Sequence, residues 1–569
     1  MMTDPSQRYR AAAPVSLSDR QWPNNCLEKA PIWSSTDLRD GNQSLFEPMG
    51  IEQKLHLFQC LCALGFKEIE VGFPSASQVE YDFVRLLIEQ NRIPDDVRIA
   101  VLTPAREPLI IRTMQALQGA THALIHLYTA TSAIFREHVL GLSEAKLLST
   151  TVSSVQQIKQ LVPDYAVATW GLEYSPEMFS STELDYALRV CNAVTDAWAA
   201  TSDRQVVINL PATVEVSTPN IYADQVEWMH RNLARRDAII LSIHPHNDRG
   251  TAVAAAELAL MAGAERVEGC LFGQGERTGN VDLVTLALNL YTQGVTPELD
   301  FSDLANLSRT MEALTHLAIH PRHPYAGDLV FTAFSGSHQD AIAKGMKRQA
   351  TQAYWEVPYL PLDPAELGRS YASIIRINSQ SGKGGISHLL FSHYGLVLPR
   401  RVQIEFSAIV QAHMDYQGGE VSAETLWAWF SQTYIAPDSA WQYRGHSYGS
   451  GTMQLQLRQG QSRLTLCGQG QGPLEAAAAA LASTGFKVLV HGYEERALET
   501  GDHGVKAKAC AWVEASLADK EHALFGAGID DDMLTAAIRA LISACGRLGF
   551  QRSEATTSSI SCSEAGLQI

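Results

Sequence analysis

At 569 residues the chain is longer than one compact core can organise, so two to four domains are expected. Its 44 basic residues against 61 acidic ones, a net of −17, argue against general nucleic-acid binding, and no apolar run nears the roughly 20 residues that cross a bilayer. Nine cysteines scattered without a paired framework suit a reducing, cytoplasmic setting, and the polar stretch from Met1 to Arg20 lacks the apolar core of a secretion signal.

Residues 1–27 read as an N-terminal arm. Short β-rich apolar runs follow at 32–38, 67–73, 97–103, 121–128, 165–172, 204–211, 238–244 and 265–272. Segments with helical spacing, such as Gln53–Leu61 and Glu183–Val190, fill the intervals, and Cys60 and Cys62 fall inside one of them as core residues. Eight strands each followed by a helix predict an α/β fold, a (β/α)8 TIM barrel, over 28–322. A doubly wound open sheet competes, but its first turn would be glycine-rich, and here that turn reads Asp37-Leu-Arg-Asp-Gly-Asn-Gln. Turn-rich breaks at His320–Pro324 and Pro358–Pro364 predict helical linker subdomains across 323–431. Beyond them Thr452–Leu457 alternates like a strand, Ala476–Ala482 is helix-prone, and strand-like runs return at Lys487–Val490 and Lys506–Glu514. That mixture predicts a small α+β domain over 432–550, with a Ser- and Thr-rich tail over 551–569 expected to be mobile.

A barrel carries its chemistry where its strands end. The seventh run ends in His244-Pro-His246, and side chains two apart on a strand share a face, so both imidazoles can aim at one metal ion. The first run ends in Arg39 and Asp40, and the fourth carries His126. The fifth leads to Ser175 and Glu177, the sixth to Thr213, and the eighth to Gly273-Gln-Gly-Glu-Arg-Thr-Gly-Asn280. Ionisable residues therefore gather on one rim, which predicts a metal-dependent active site. Two glycine patterns are decoys. Gly273–Gly279 is one residue too long for a dinucleotide fingerprint and follows the last strand, while Ser381-Gly-Lys383-Gly has Ile377 where a phosphate loop needs its leading glycine.

Leu38-Arg-Asp-Gly-Asn-Gln43, His244-Pro-His-Asn-Asp-Arg-Gly250 and Gly273–Asn280 together resemble the acyl-CoA:2-oxo-acid synthases, which perform Claisen-type condensations. Glu68-Ile-Glu-Val-Gly-Phe-Pro-Ser-Ala-Ser-Gln78 and Asn378-Ser-Gln-Ser-Gly-Lys-Gly-Gly385 extend the likeness, which is greatest to the long-form 2-isopropylmalate synthases. The resemblance implies acetyl-CoA and 2-oxoisovalerate as substrates, a homodimer, and a C-terminal domain that binds leucine as an allosteric inhibitor. Citramalate and homocitrate synthases, and acyl-CoA lyases with related motifs, are the neighbouring alternatives. A degenerate barrel serving only to bind is a further one.

Condensation needs a polarised ketone, a base for the thioester methyl group, and stabilisation of the alkoxide. Asp40, His244, His246 and Asn280 offer two oxygens and two nitrogens to a divalent ion, Mg²⁺ first and otherwise Mn²⁺, Co²⁺ or Zn²⁺. The family supports these four positions, with the Asn280 amide the weakest ligand. The fork of Arg39 suits oxyanion charge. Glu177 is the favoured base, with Glu173, Glu215 and Glu276 as alternatives. From the resemblance, Thr213 binds the oxo-acid carboxylate and His126 and Ser175 line the pocket. Also from the resemblance, His338 and Tyr371 belong to linker segments that reach the partner's site and assist proton transfer.

Overall fold

In the computed structural model, the apolar runs of the first half close into one barrel of eight parallel strands, in sequence order around the ring. Residues 4–333, 335–369, 383–417, 421–437, 441–459, 461–498, 508–518 and 522–550 are described. The strands are β1 (Ile32–Ser35), β2 (Glu68–Gly72), β3 (Arg98–Pro104), β4 (His122–Ala130), β5 (Thr169–Glu177), β6 (Val206–Ala212), β7 (Ile239–Pro245) and β8 (Arg266–Gly269). The helices between and after them are α1 (Ile51–Leu64), α2 (Gln78–Glu89), α3 (Glu107–Leu117), α4 (Glu144–Leu161), α5 (Leu184–Trp198), α6 (Pro219–Asn232), α7 (Ala252–Met261) and α8 (Leu283–Thr292), then α9 (Leu304–Thr315). The open-sheet alternative is thereby excluded, since β1 pairs with both β2 and β8.

Two runs are displaced from the sequence reading. β5 starts at Thr169 and continues through Glu177, so Ser175 and Glu177 stand within the strand. β1 stops at Ser35, and Asp37–Gly41 form a π turn that folds Arg39 and Asp40 over the barrel mouth. Helix starts follow local chemistry: the Ser77 and Ser143 hydroxyls accept the N–H groups of Glu80 and Lys146 at the heads of α2 and α4.

The inward-facing residues form layers of different character. Ala100, Leu124 and Val207, with Ile240 against them, make a small apolar floor. A charged layer shares the barrel interior with it. Fully buried Arg266 donates to Glu68 at 2.7 Å, to Glu268 at 2.6 Å, to Glu173 at 3.2 Å, and to the hydroxyls of Ser34 and Ser242 at 2.9 Å. An isolated buried arginine would be prohibitive, and here every side of the fork meets an acceptor.

The chain divides into two units, residues 1–330 with 364–369, and residues 331–363 with 370–569. The second holds α10 (Gly336–Gln349), α11 (Lys383–Tyr394), α12 (Arg400–Gln417) and α13 (Ala423–Phe430). After these come β9 (Gln442–Gly449), β10 (Thr452–Gln459), β11 (Ser462–Gln469), α14 (Pro473–Ala482), β12 (Val488–Ala497), β13 (Ala509–Leu517), β14 (Ala523–Asp530) and α15 (Met533–Arg547). The α+β expectation is met by a pattern repeated twice: three antiparallel strands, then a helix. Alanine-rich α14 and α15 lie close on glycine-bearing strands. A Cβ on Gly468 would stand 2.2 Å from Ala480 N, and one on Gly528 would stand 2.1 Å from Ala536 O. Among the described residues no helix is long and apolar enough to cross a membrane.

Candidate active site

The carboxyl ends of the barrel strands enclose a cavity of about 360 Å³. Arg39, Asp40, His126, Ser175, Glu177, Thr213, His244 and His246 line it, together with Glu276, Leu102, Tyr128 and Asn209. The structure thus brings together most of the residues expected from sequence.

Asp40 is the hub of its metal-facing wall. Its Oδ2 lies 3.2 Å from His244 Nε2 and 3.6 Å from His246 Nε2, and accepts the Asn280 amide at 2.9 Å. The two imidazoles stack with centroids 5.2 Å apart. Asn280 reaches the site because Gln274–Gly279 doubles back. Gly279 has φ of 90°, and a Cβ there would stand 1.7 Å from Gly273 O, so only glycine lets the loop pass and Asn280 pair with His246. Burial opposes charge at every group here, but Arg39 and His244 hold Asp40 well below the usual carboxylate range. Against the same burial, the hydrogen bonds that His244 donates to Asp40 and Glu268 push it up to about 9. Burial, then the neighbouring His244, drives His246 down to about 3.

This donor set suits a divalent ion. One ligand atom from each of Asp40, His244 and His246 falls within 4.8 Å of the others, and all three residues are buried. Two buried polar atoms beside them, Asn280 Oδ1 and His246 Nδ1, have no hydrogen-bond partner. The Asn280 assignment follows from Asp40, since a carbonyl oxygen 2.9 Å from a carboxylate would repel it, which leaves the amide oxygen as the free atom. His126, Glu173 and Glu268 also cluster like ligands, but Arg266 already supplies the cation between the two carboxylates.

Arg39 is nearly buried and its Nε donates to Glu70 at 2.6 Å, with Asp40 3.5 Å from another nitrogen of the fork. Glu177 stands on the cavity wall, and burial raises its carboxyl against the pull of Arg39. Of the alternative bases, Glu173 lies beneath the cavity with Arg266 on both its oxygens, and burial pushes it well above its ordinary value. Glu215 binds the Arg249 N–H and the Thr251 hydroxyl and so ties two loops together. Glu276 lines the mouth, where Gln43 donates to it at 3.2 Å. The Thr213 hydroxyl accepts the Met178 N–H at 2.9 Å. His338 stands in α10, exposed, with its ring stacked 4.0 Å from that of Tyr359. Tyr371, the stretch 378–382 and the tail 551–569 lie outside the described residues.

Sequence reasoning missed Glu70, Asn209 and Glu268. Glu70 accepts from Arg39 and from His126 Nδ1 at 2.8 Å, while Asn209 donates to Ser175 at 3.0 Å and to Glu268 at 2.9 Å. Glu268 in turn accepts from His244 Nδ1 at 2.8 Å. The available signal was a charged or amide residue at an inward position of a strand buried on both faces, where apolar side chains are the rule.

Residues 30–311 match the HMGL-like family, 328–391 the alpha-isopropylmalate synthase post-catalytic domain-like family, and 420–548 the LeuA allosteric (dimerisation) domain. The 2-isopropylmalate synthase of Ralstonia nicotianae is 54% identical over 98% of this chain and 97% of its own. That of Parvibaculum lavamentivorans is 55% identical over 97% of this chain and 98% of its own. The chain belongs to the 2-isopropylmalate synthase family. A solved hydroxymethylglutaryl-CoA lyase from Pseudomonas aeruginosa aligns with 52% of this chain and 95% of its own at 18% identity, with a TM-score of 0.43. As in the matched family, an allosteric-type domain follows the synthase barrel. In this chain that domain encloses a cavity of about 410 Å³ lined by Leu474, Tyr493, Glu495, Met533, Leu534 and Ala537 among others.

Proposed function

We propose that this protein condenses acetyl-CoA with 2-oxoisovalerate and, with water, releases 2-isopropylmalate and CoA, working in the cytoplasm as a homodimer inhibited by leucine. The observation that carries this reading is the buried set Asp40, His244 and His246 beside Arg39 in one cavity. A divalent ion held by that set and Asn280, Mg²⁺ before Mn²⁺, Co²⁺ or Zn²⁺, supplies Lewis acidity to the ketone.

The chain's own groups do the rest. Thr213 receives the oxo-acid carboxylate. Glu177, its carboxyl raised by burial, takes a proton from the acetyl methyl group, since a base near the pKa of its task transfers protons best. Arg39, fixed by Glu70, presents its remaining N–H groups to the developing oxyanion. His338 and Tyr371 act on the partner's site as proton carriers. Leucine fits the apolar lining of the C-terminal cavity, and the carboxylates of Glu475 and Glu495 suit its ammonium group.

Incubation with acetyl-CoA and a panel of 2-oxo acids, followed by free thiol, tests the assignment. The highest kcat/KM is expected with 2-oxoisovalerate. Preference for pyruvate would make the protein a citramalate synthase, and preference for 2-oxoglutarate a homocitrate synthase. Chelation is expected to abolish turnover and Mg²⁺ or Mn²⁺ to restore it. Undiminished activity after confirmed metal removal would end the metal reading.

A further inference from the structure

The inward face of the barrel mouth is joined by one closed ring of polar contacts. It runs Arg39–Glu70–His126–Ser175–Asn209–Glu268–His244–Asp40 and returns to Arg39. Half of it explains itself: Glu268 turns the His244 ring, and Glu70 steadies Arg39. The remaining segment has a different form. Glu70 Oε1 accepts from His126 Nδ1 at 2.8 Å, and His126 Nε2 lies 2.7 Å from Ser175 Oγ. A carboxylate, an imidazole and a hydroxyl thus stand in line, all buried, with His126 and Ser175 on the cavity wall.

The direction of the hydrogens follows from the partners. A carboxylate only accepts, so Nδ1 carries the hydrogen, and in the neutral ring Nε2 is the acceptor for the Ser175 hydroxyl. Asn209 donates to the same Ser175 oxygen at 3.0 Å, which keeps the hydroxyl hydrogen turned towards His126. A base oriented by an acid and in contact with a hydroxyl is the arrangement that removes a proton from an attacking oxygen. Condensation alone gives that arrangement no task. Carbon–carbon bond formation needs a base for the methyl group, and Glu177 stands on the same cavity wall for it. The second half of the proposed reaction, cleavage of the condensed thioester by water, has no base among the barrel residues assigned so far.

We infer that Glu70, His126 and Ser175 form the relay that activates the hydrolytic water. The inference rests on the condensation reading above. Water adds to the thioester carbonyl carbon, forming the C–O bond. Its proton passes to Ser175 Oγ as the serine hydrogen moves to His126 Nε2. The C–S bond then breaks with its electron pair on sulfur, and His126 returns the proton through Ser175 to the thiolate. The sum is thioester plus water giving acid plus thiol. His126 is the base, Ser175 the conduit and Glu70 the positioning residue.

The test separates the two halves. Full-length wild-type protein, His126→Gln and Ser175→Ala are mixed with acetyl-CoA and 2-oxoisovalerate in excess of Mg²⁺, quenched in acid, and analysed by mass for condensed thioester, condensed acid and CoA. Loss of a general base costs about 100-fold or more in the step it serves. In His126→Gln, CoA release should therefore fall about 100-fold while condensed thioester accumulates, and Ser175→Ala should accumulate it to a lesser degree. Condensed thioester supplied directly should also be cleaved by the wild type and spared by His126→Gln. Parallel loss of condensation and hydrolysis in both variants overturns the relay, as does cleavage of the supplied thioester by His126→Gln at the wild-type rate. A wild type that condenses no 2-oxo acid overturns the functional reading instead, and thermal melts of both variants guard against mistaking an unfolded protein for either result.

Discussion

Arg39 is tethered by Glu70 through one nitrogen, so the rest of its fork is aimed by geometry and not by chance. Arg39→Lys keeps a positive charge but loses the planar fork and the fixed direction. We expect turnover to fall by about 2–4 kcal/mol in transition-state stabilisation with little change in substrate affinity, the scale of a lost oxyanion donor. Steady-state kinetics decide: a change confined to KM would make Arg39 a binding residue only. Glu177 makes a pH prediction. Its carboxyl is raised above 4.5 by burial, and as a base it works only when ionised. The acid limb of kcat/KM should therefore break at a higher pH than an ordinary glutamate allows, and Glu177→Gln should remove both that limb and most of the activity. An unchanged acid limb in this variant would move the base elsewhere. The rim residues that carry these predictions were legible because they interrupt apolar runs at strand ends. Glu70 and Glu268 were not, because a single sequence cannot say that the charge it places inside a buried strand meets Arg39, or Arg266 and His244, across the barrel.

The strand order and the barrel itself were readable from rhythm, since each run is short, β-rich and followed by a helical interval. What rhythm could not place was the end of an element. β5 is longer than its apolar run because Glu173 and Ser175 point inward to polar partners and Glu177 lines the cavity, so burial there does not require apolar side chains. The two strand–strand–strand–helix halves of the C-terminal domain were hidden for a related reason. Their signature is a glycine under an alanine-rich helix, at Gly468 and Gly528, and not a repeated motif. The charged layer invites a stability test. Arg266→Met leaves Glu173 buried without its cation and strips one cation from Glu68, which keeps Arg98, and from Glu268, which keeps His244. Breaking such a buried pair typically costs about 3–5 kcal/mol. Without Arg266 the folded-state pKa of Glu173, already held above its ordinary value by burial, rises further above its unfolded value. A group of that kind contributes stability below its unfolded pKa and loses it as pH rises through the folded one. The variant should thus lag the wild type more at pH 8 than at pH 5 in thermal melts. An equal deficit at both pH values would assign the loss to packing alone.

At the scale of the whole chain, a site with acid–base chemistry belongs to one unit, and the other unit carries an allosteric-type domain with an apolar cavity and no comparable cluster of perturbed ionisable groups among its described residues. A protein that divides labour in this way can be regulated only if binding in one place changes the free energy of binding or reaction in the other. Such coupling is typically about 1–3 kcal/mol and is reciprocal for binding. Leucine should therefore lower turnover, and a bound 2-oxo acid should weaken leucine binding by the same factor that leucine weakens the oxo acid. Filling the C-terminal cavity tests where the effector sits without touching the barrel. In full-length Ala537→Phe, calorimetry should find leucine binding reduced at least tenfold, with turnover in the absence of leucine unchanged. Removal of the chain after about Arg400 should abolish inhibition altogether. Leucine binding that survives Ala537→Phe at full strength would place the effector outside this cavity, and inhibition that survives the truncation would place it outside the domain.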